Sequence, residues 1–157
     1  MNQMARHIWS VLCNRASIDS TTNTLSLFEV LEEVQAKVSI PSGSAPPTDL
    51  TIPLTVTLAS LWERSEMDVA ETSESFEVRL KDPNGKELAR NEQVFSLDGA
   101  KKRMRILLTT QLNVRMSGRF EFRVMERSKA GKWREVASLP LDVSINVEEI
   151  KSPPKPS

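Results

Sequence analysis

Apolar and polar residues alternate one by one over much of the second half of the chain. Phe76, Val78 and Leu80 are separated by Glu77 and Arg79 and followed by Lys81. Met104, Ile106, Leu108, Thr110, Leu112 and Val114 fall on one parity, with Arg103, Arg105, Gln111 and Asn113 on the other. Phe120, Phe122 and Val124 alternate with Glu121 and Arg123, and Ala137, Leu139, Leu141, Val143 and Ile145 repeat the pattern. A period of two sends successive side chains to opposite faces of a strand, one face to a core and one to water. Half-buried antiparallel sheets read this way, whereas strands covered on both faces read as continuous apolar runs.

The first half is less regular. Arg6–Cys13 carries apolar residues on both parities, Ile8 and Leu12 on one and Trp9, Val11 and Cys13 on the other. It reads as a strand buried on much of both faces. Asn14–Asn23 is polar and reads as a loop. Thr24–Ile40 supports two readings. Ser26 with Glu29 resembles a helix capping box, but Phe28, Val30, Val34, Ala36, Val38 and Ile40 share strand parity. Strand is the preferred reading, with Glu32 marking a bulge or an edge. Pro41–Asp49 is a loop, Thr51–Trp62 a strand whose start Pro53 places at an edge, and Arg64–Ser75 an acidic loop or a single helical turn.

Turn chemistry falls between these segments. Asp82-Pro83-Asn84-Gly85 and Lys129-Ala130-Gly131-Lys132 read as hairpin turns, Ser117-Gly118 as a further turn, and Leu97-Asp98-Gly99 as a break. Short strands with regular turns and no strong long helix predict an all-β, antiparallel two-sheet sandwich of about seven to nine strands, immunoglobulin-like in character. A single domain is expected over residues 1–150. Lys151–Ser157, with three prolines and no apolar residue, is expected to be a flexible tail that adds nothing to stability.

Gly118-Arg119-Phe120-Glu121-Phe122-Arg123-Val124 is similar to the G-x-Y-x-F-x-V stretch of late strands in immunoglobulin-like domains. Phe120 stands where tyrosine is usual, so the buried hydroxyl bond of a tyrosine corner cannot form. The succession of an N-terminal strand, Asn23-Thr24-Leu25-Ser26-Leu27, a proline loop, the Asp-Pro-Asn-Gly hairpin, this stretch and Leu139-Pro140-Leu141 covers residues 6–147. It resembles small stand-alone bacterial proteins of unknown function with a β-sandwich fold. That resemblance implies a fold and no activity.

Composition narrows the chemistry. The 157 residues carry 21 Lys+Arg and 21 Asp+Glu, a formal net charge of zero. Such a balance disfavours nucleic acid as a partner and removes a long-range barrier to self-association. One cysteine, Cys13, excludes an intramolecular disulfide and reads as a small core hydrophobe. The chain has no apolar run long enough for a transmembrane helix, and its start lacks the apolar stretch of a signal peptide. A cytoplasmic location without membrane attachment is the expectation. With His7 as the sole histidine, neither a catalytic triad nor a zinc site is expected, and no cofactor is implied. Glu66, Asp68, Glu71 and Glu74 lack the glycine and spacing of a calcium loop and read as a solvated acidic segment.

Two groups of residues remain as candidate surfaces. If the strands flanking Ser117-Gly118 pair, Arg103, Arg105, Arg119 and Arg123 share one sheet face and offer a site to an anionic partner. The alternative is that Glu121, Glu126 and Glu135 neutralise that face by cross-strand pairing. Trp9, Trp62 and Trp133 are candidates for stacking a sugar or small molecule. The leading expectation is a non-catalytic protein-interaction or accessory domain that binds a protein partner or a second copy of itself. A small-molecule- or carbohydrate-binding sandwich is the alternative.

Overall fold

A computed structural model describes residues 5–64, 71–98, 101–128, 130–151 and 156. Among them are nine strands and no helix: β1 (Ala5–Ile18), β2 (Leu25–Val30), β3 (Glu33–Pro41), β4 (Ile52–Arg64), β5 (Glu71–Lys81), β6 (Glu87–Asp98), β7 (Arg103–Val114), β8 (Gly118–Arg127) and β9 (Trp133–Ile150). They form two sheets, one ordered β2-β1-β4-β7 and the other β3-β9-β8-β5-β6. The all-β two-sheet sandwich expected from alternation is therefore present. The neighbours β4-β7 in one sheet and β9-β8-β5 in the other match the B–E and G–F–C pairings of the immunoglobulin sandwich.

The core forms where the alternating apolar residues of both sheets meet. Leu12, Val56, Leu58, Trp62, Leu112 and Val114 of the four-stranded sheet face Phe76, Leu80, Phe120, Phe122, Leu141 and Val143 of the other, all buried. Val124 is buried with them, while Val78, Ile106 and Leu108 pack against the cluster from partly exposed positions. Trp62 sits in an aromatic group, its ring centroid 5.2 Å from that of Phe76 and 5.5 Å from that of Phe95.

Several boundaries differ from the sequence reading. The polar segment read as a loop from Asn14 is strand as far as Ile18, because β2 folds back on it through a turn closed by Asp19. Asp19 Oδ1 accepts from the backbone N–H groups of Thr21 and Thr22, both at 2.8 Å, and these bonds lower its pKa. Thr24–Ile40 is two strands in different sheets. The Leu31 N–H donates to Leu12 at 2.8 Å, whereas Glu32 C=O accepts from Asp142 N–H at 3.0 Å, so the chain changes sheets between these two residues. Glu32, expected as a bulge or an edge, marks that crossing. Glu29 has a left-handed φ of +53°, but the β1–β2 register passes through it unshifted, from Arg15↔Phe28 to Cys13↔Val30.

β3 then runs parallel to β9, in register from Glu33↔Asp142 to Pro41↔Ile150, an exception to the antiparallel expectation. Residues 71–75, read as a loop or a single helical turn, belong to β5. Residues 65–70, with Glu66 and Asp68, Gly99, Lys129, and most of the expected tail lie outside the described residues.

Pro53 and Pro140 fall within strands where a missing N–H costs no ladder bond. Pro53 pairs with Asn113 on β7, while the register of β4 with β1 starts only at Thr57. Pro140 pairs with Glu121 on β8, and β3 joins the other side of β9 only from Asp142. At Gly118, φ is +134° and a built Cβ would lie 2.7 Å from Pro83 Cβ, so the turn before β8 packs directly on the β5–β6 hairpin.

Candidate functional site

The four arginines expected to share a face do not. β7 pairs with β4 and β8 lies between β9 and β5, so the strands flanking Ser117-Gly118 are in different sheets. Arg103 and Arg105 lie on the outer face of the four-stranded sheet, opposite Glu63 and Leu61 of β4. Arg119 and Arg123 lie on the outer face of the five-stranded sheet. The turn between β7 and β8 is a crossover from one layer to the other, and alternation along each strand carries no information about that.

Each of these arginines is also engaged. Arg103 Nε donates to Glu63 at 3.1 Å, and Arg6 donates to the same carboxylate at 2.6 Å; the two bonds hold the Glu63 carboxyl below its ordinary range. Arg105 bonds the Asn23 side chain. Arg119 makes a two-point contact with Asp142 at 2.8 and 2.9 Å, which lowers the Asp142 pKa and raises that of Arg119. Arg123 pairs with Glu135 at 2.6 Å and Glu121 at 3.3 Å. Glu126, the third acid expected to neutralise this group, pairs with Arg134 at 2.7 Å. The outer face of the five-stranded sheet is thus a mat of ion pairs, completed by buried Glu77 with Arg79 and Arg90.

The three tryptophans also separate. Trp62 is only 1 % exposed and points into the core, so it cannot stack a ligand. Trp133 begins β9 with the Arg127 guanidinium 5.8 Å from its ring centre. Trp9 lies on the outer face of the four-stranded sheet, paired with Leu61.

That outer face is where the structure departs most from a solvated strand surface. Register places three rows across it: Val30, Cys13, Thr57 and Thr109; then Val11, Ala59 and Leu107; then Trp9, Leu61 and Arg105. Cys13, Thr57 and Ala59 are buried beneath their neighbours, and Val11, Trp9, Leu61 and Leu107 are partly exposed. Val30 and Phe28 are 55 % and 41 % exposed at the β2 edge, with the Arg15 guanidinium 4.7 Å above the Phe28 ring. Charges border this apolar surface: Arg6, Glu63, Arg103 and Arg105 toward one end, Arg15 toward the other. Sequence reasoning found the β1 part of this surface, through apolar residues on both parities, but missed Leu61 and Leu107. Their signal was present: Leu61-Trp62 and Ile106-Leu107-Leu108 interrupt the alternation with adjacent apolar residues, the mark of a strand covered on both faces.

His7 is half-buried on the inward side of β1, opposite Trp62. Its ring meets Trp62 edge-on at 5.1 Å, and Nε2 lies 2.8 Å from Ser10 Oγ, which lies 2.8 Å from the fully buried Ser60 Oγ. No carboxylate among the described residues bonds the ring to orient it as a triad would. The chain of three groups satisfies buried hydroxyls, and burial lowers the His7 pKa. Cys13 Sγ lies 3.5 Å from the Thr57 carbonyl oxygen, and burial raises its pKa, away from the reactive thiolate. Among the described residues no His, Cys, Asp or Glu group is arranged to hold a metal ion, and no helix is long and apolar enough to cross a membrane. The chain matches no protein-family model and no curated protein.

Proposed function

We propose that this chain is a non-catalytic interaction module that docks through the outer face of its four-stranded sheet, and that the occupant of that face is a second copy of the chain. The observation that carries the reading is the alignment of Trp9, Val11, Leu61 and Leu107 on three adjacent strands, at positions where alternation calls for polar residues. A contiguous apolar patch with a polar rim is the usual signature of a docking surface.

Two features favour a second copy over a partner of one charge sign. The rim holds Glu63 as well as Arg6, Arg15 and Arg103, so both charge signs are present for the surface to meet itself across a two-fold axis. The net charge of zero leaves no long-range repulsion between copies. Size is consistent as well. Four strands spaced by about 4.8 Å and the three cross-strand rows spaced by about 6.8 Å give a footprint of roughly 19 by 20 Å. That is roughly 400 Å² in projection. Side-chain relief raises the accessible area toward the roughly 600 Å² per partner at the lower end of specific interfaces.

Light scattering over a concentration series tests this. The native chain is expected to pass from monomer to dimer mass in the micromolar range. Leu107→Glu and Val30→Asp are expected to hold it at monomer mass with an unchanged circular dichroism spectrum, since both side chains lie on the outer face. A monomer mass at every concentration up to the high micromolar range removes self-association and leaves a different protein as the occupant.

A further inference from the structure

A second feature, independent of the docking face, lies at the opposite edge of the sandwich. The four-stranded sheet stops at β7 and the five-stranded sheet at β6. Between these edges is a cleft of about 490 Å³, within the range of small-molecule sites. Its apolar lining comes from Leu80, Leu112 and Phe120, which belong to the core, and from Leu88 and Met116, which are more open.

Two cations, Lys86 and Arg115, stand at the same cleft. Arg115 is the one arginine among the described residues whose side chain makes no hydrogen bond, ion pair or ring contact. It also borders a shallower hollow lined by Thr48, Asp49, Leu50 and Thr51, without an ion pair to Asp49. Lys86 likewise has no carboxylate among the described residues within ion-pair distance. The only acid in the lining is Asp82, and its Oδ1 already accepts from the backbone N–H groups of Asn84 and Lys86, both at 2.9 Å. Formal charge over the lining is therefore +1, from Lys86, Arg115 and Asp82.

The supports of both cations are fixed. Lys86 ends a hairpin turn closed by Gly85 N–H to Asp82 C=O and Asp82 N–H to Lys86 C=O, each 2.9 Å. Asn84 Nδ2 on that turn reaches Met116 Sδ, next to Arg115, at 3.7 Å. Pro83 abuts Gly118 on the far side of the same loop. A site whose walls are held before the ligand arrives loses less ordering entropy on binding.

We propose that this cleft binds a small amphiphilic anion, its apolar body against Leu88, Leu112, Met116 and Phe120 and its carboxylate or similar head taken by Lys86 and Arg115. Calorimetric titration of the full chain with decanoate, decanol and decyltrimethylammonium, each below its micelle concentration, tests the assignment. Decanoate is expected to bind at one saturable site, and more tightly than the other two. Lys86→Gln and Arg115→Gln are each expected to weaken decanoate about tenfold, the usual size of one lost charge-assisted hydrogen bond. Leu88→Asp is expected to abolish binding, while Leu107→Glu on the docking face leaves it intact. Absence of decanoate binding up to several millimolar overturns the proposal. So does an affinity unchanged in the Lys86→Gln/Arg115→Gln double variant with native circular dichroism, or equally tight binding of the cationic amphiphile.

Discussion

Trp62 offers the sharpest test of how the core is held. The ring is 1 % exposed and packs on Phe76, Phe95 and His7. Its indole Nε1 is buried without a hydrogen-bond partner among the described residues. Those two facts pull in opposite directions when the ring is shortened. Trp62→Phe removes roughly 50 Å² of buried apolar surface, worth about 1.3 kcal/mol at about 25 cal/mol per Å², and the small void left adds about 1 kcal/mol. Removing an unpaired buried N–H returns about 1–3 kcal/mol. The terms nearly cancel, so Trp62→Phe is expected to lie within about 1.5 kcal/mol of the native chain. Trp62→Ala keeps the gain but loses the whole ring, and is expected to cost about 3–5 kcal/mol. Urea unfolding followed by far-ultraviolet circular dichroism measures both, with equal denaturant slopes as the check that the unfolded reference has not changed. Fluorescence is a poor probe because the substitution removes one of three tryptophans. A loss above about 3 kcal/mol for Trp62→Phe refutes the reasoning and means that the indole N–H is bonded in solution.

Gly118→Ala is expected to cost roughly 2–4 kcal/mol, because φ +134° is strained for any other residue and the new Cβ would meet Pro83; a melting temperature close to native contradicts the close approach. His7 supplies a pH dependence. Its folded pKa lies below the ordinary value, so the unfolded chain binds the proton more readily. Stability is then complete above about pH 6.5 and is lost as pH falls from there through the folded pKa. Between pH 7.5 and 5.5 the native chain is expected to lose more melting temperature than His7→Gln, and parallel curves contradict the burial of a neutral imidazole.

What the sequence disclosed follows from what alternation encodes. Parity along a strand states which side chains share a face, and Phe120, Phe122, Val124, Leu141 and Val143 are buried as parity requires. Parity does not state which strands are neighbours. The arginine hypothesis needed β7 beside β8, and the chain instead crosses between layers there. The same gap hid the change of sheet at Leu31 and Glu32. One uninterrupted strand and two strands in different layers leave almost the same pattern, and the deciding bonds run to Leu12 and Asp142, far away in sequence. Trp62 shares strand parity with Leu54, Val56 and Leu58, yet it also stood as a stacking candidate. Parity alone would have sent it to the core. Arg115 had no sequence signal at all, because what distinguishes it is the lack of a partner in three dimensions.

The two outer faces bear on the docking reading together. Both are built from strands of similar length under the same alternation, so an indifferent solvent-facing surface would look alike on the two sides. They differ in kind. On the five-stranded sheet the outward residues of β5, β6 and β8 include Glu77, Arg79, Arg90, Glu121 and Arg123, joined by ion pairs across the strands. On the four-stranded sheet the equivalent positions of β1, β4 and β7 hold Trp9, Val11, Ala59, Leu61 and Leu107. Isolated exposed hydrophobes are ordinary on any protein, and scattered over both faces these would mean little. Concentrated in adjacent rows of one sheet, they place apolar area where water gains nothing from it and a second apolar surface would. Of the charges that remain on that face, Arg6, Arg103 and Glu63 at one end and Arg15 at the other stand at the margin of the rows, and Arg105 closes the last row at the β7 edge. That is the arrangement in which burial of the centre leaves the charged rim hydrated, so docking avoids the cost of desolvating an ion pair.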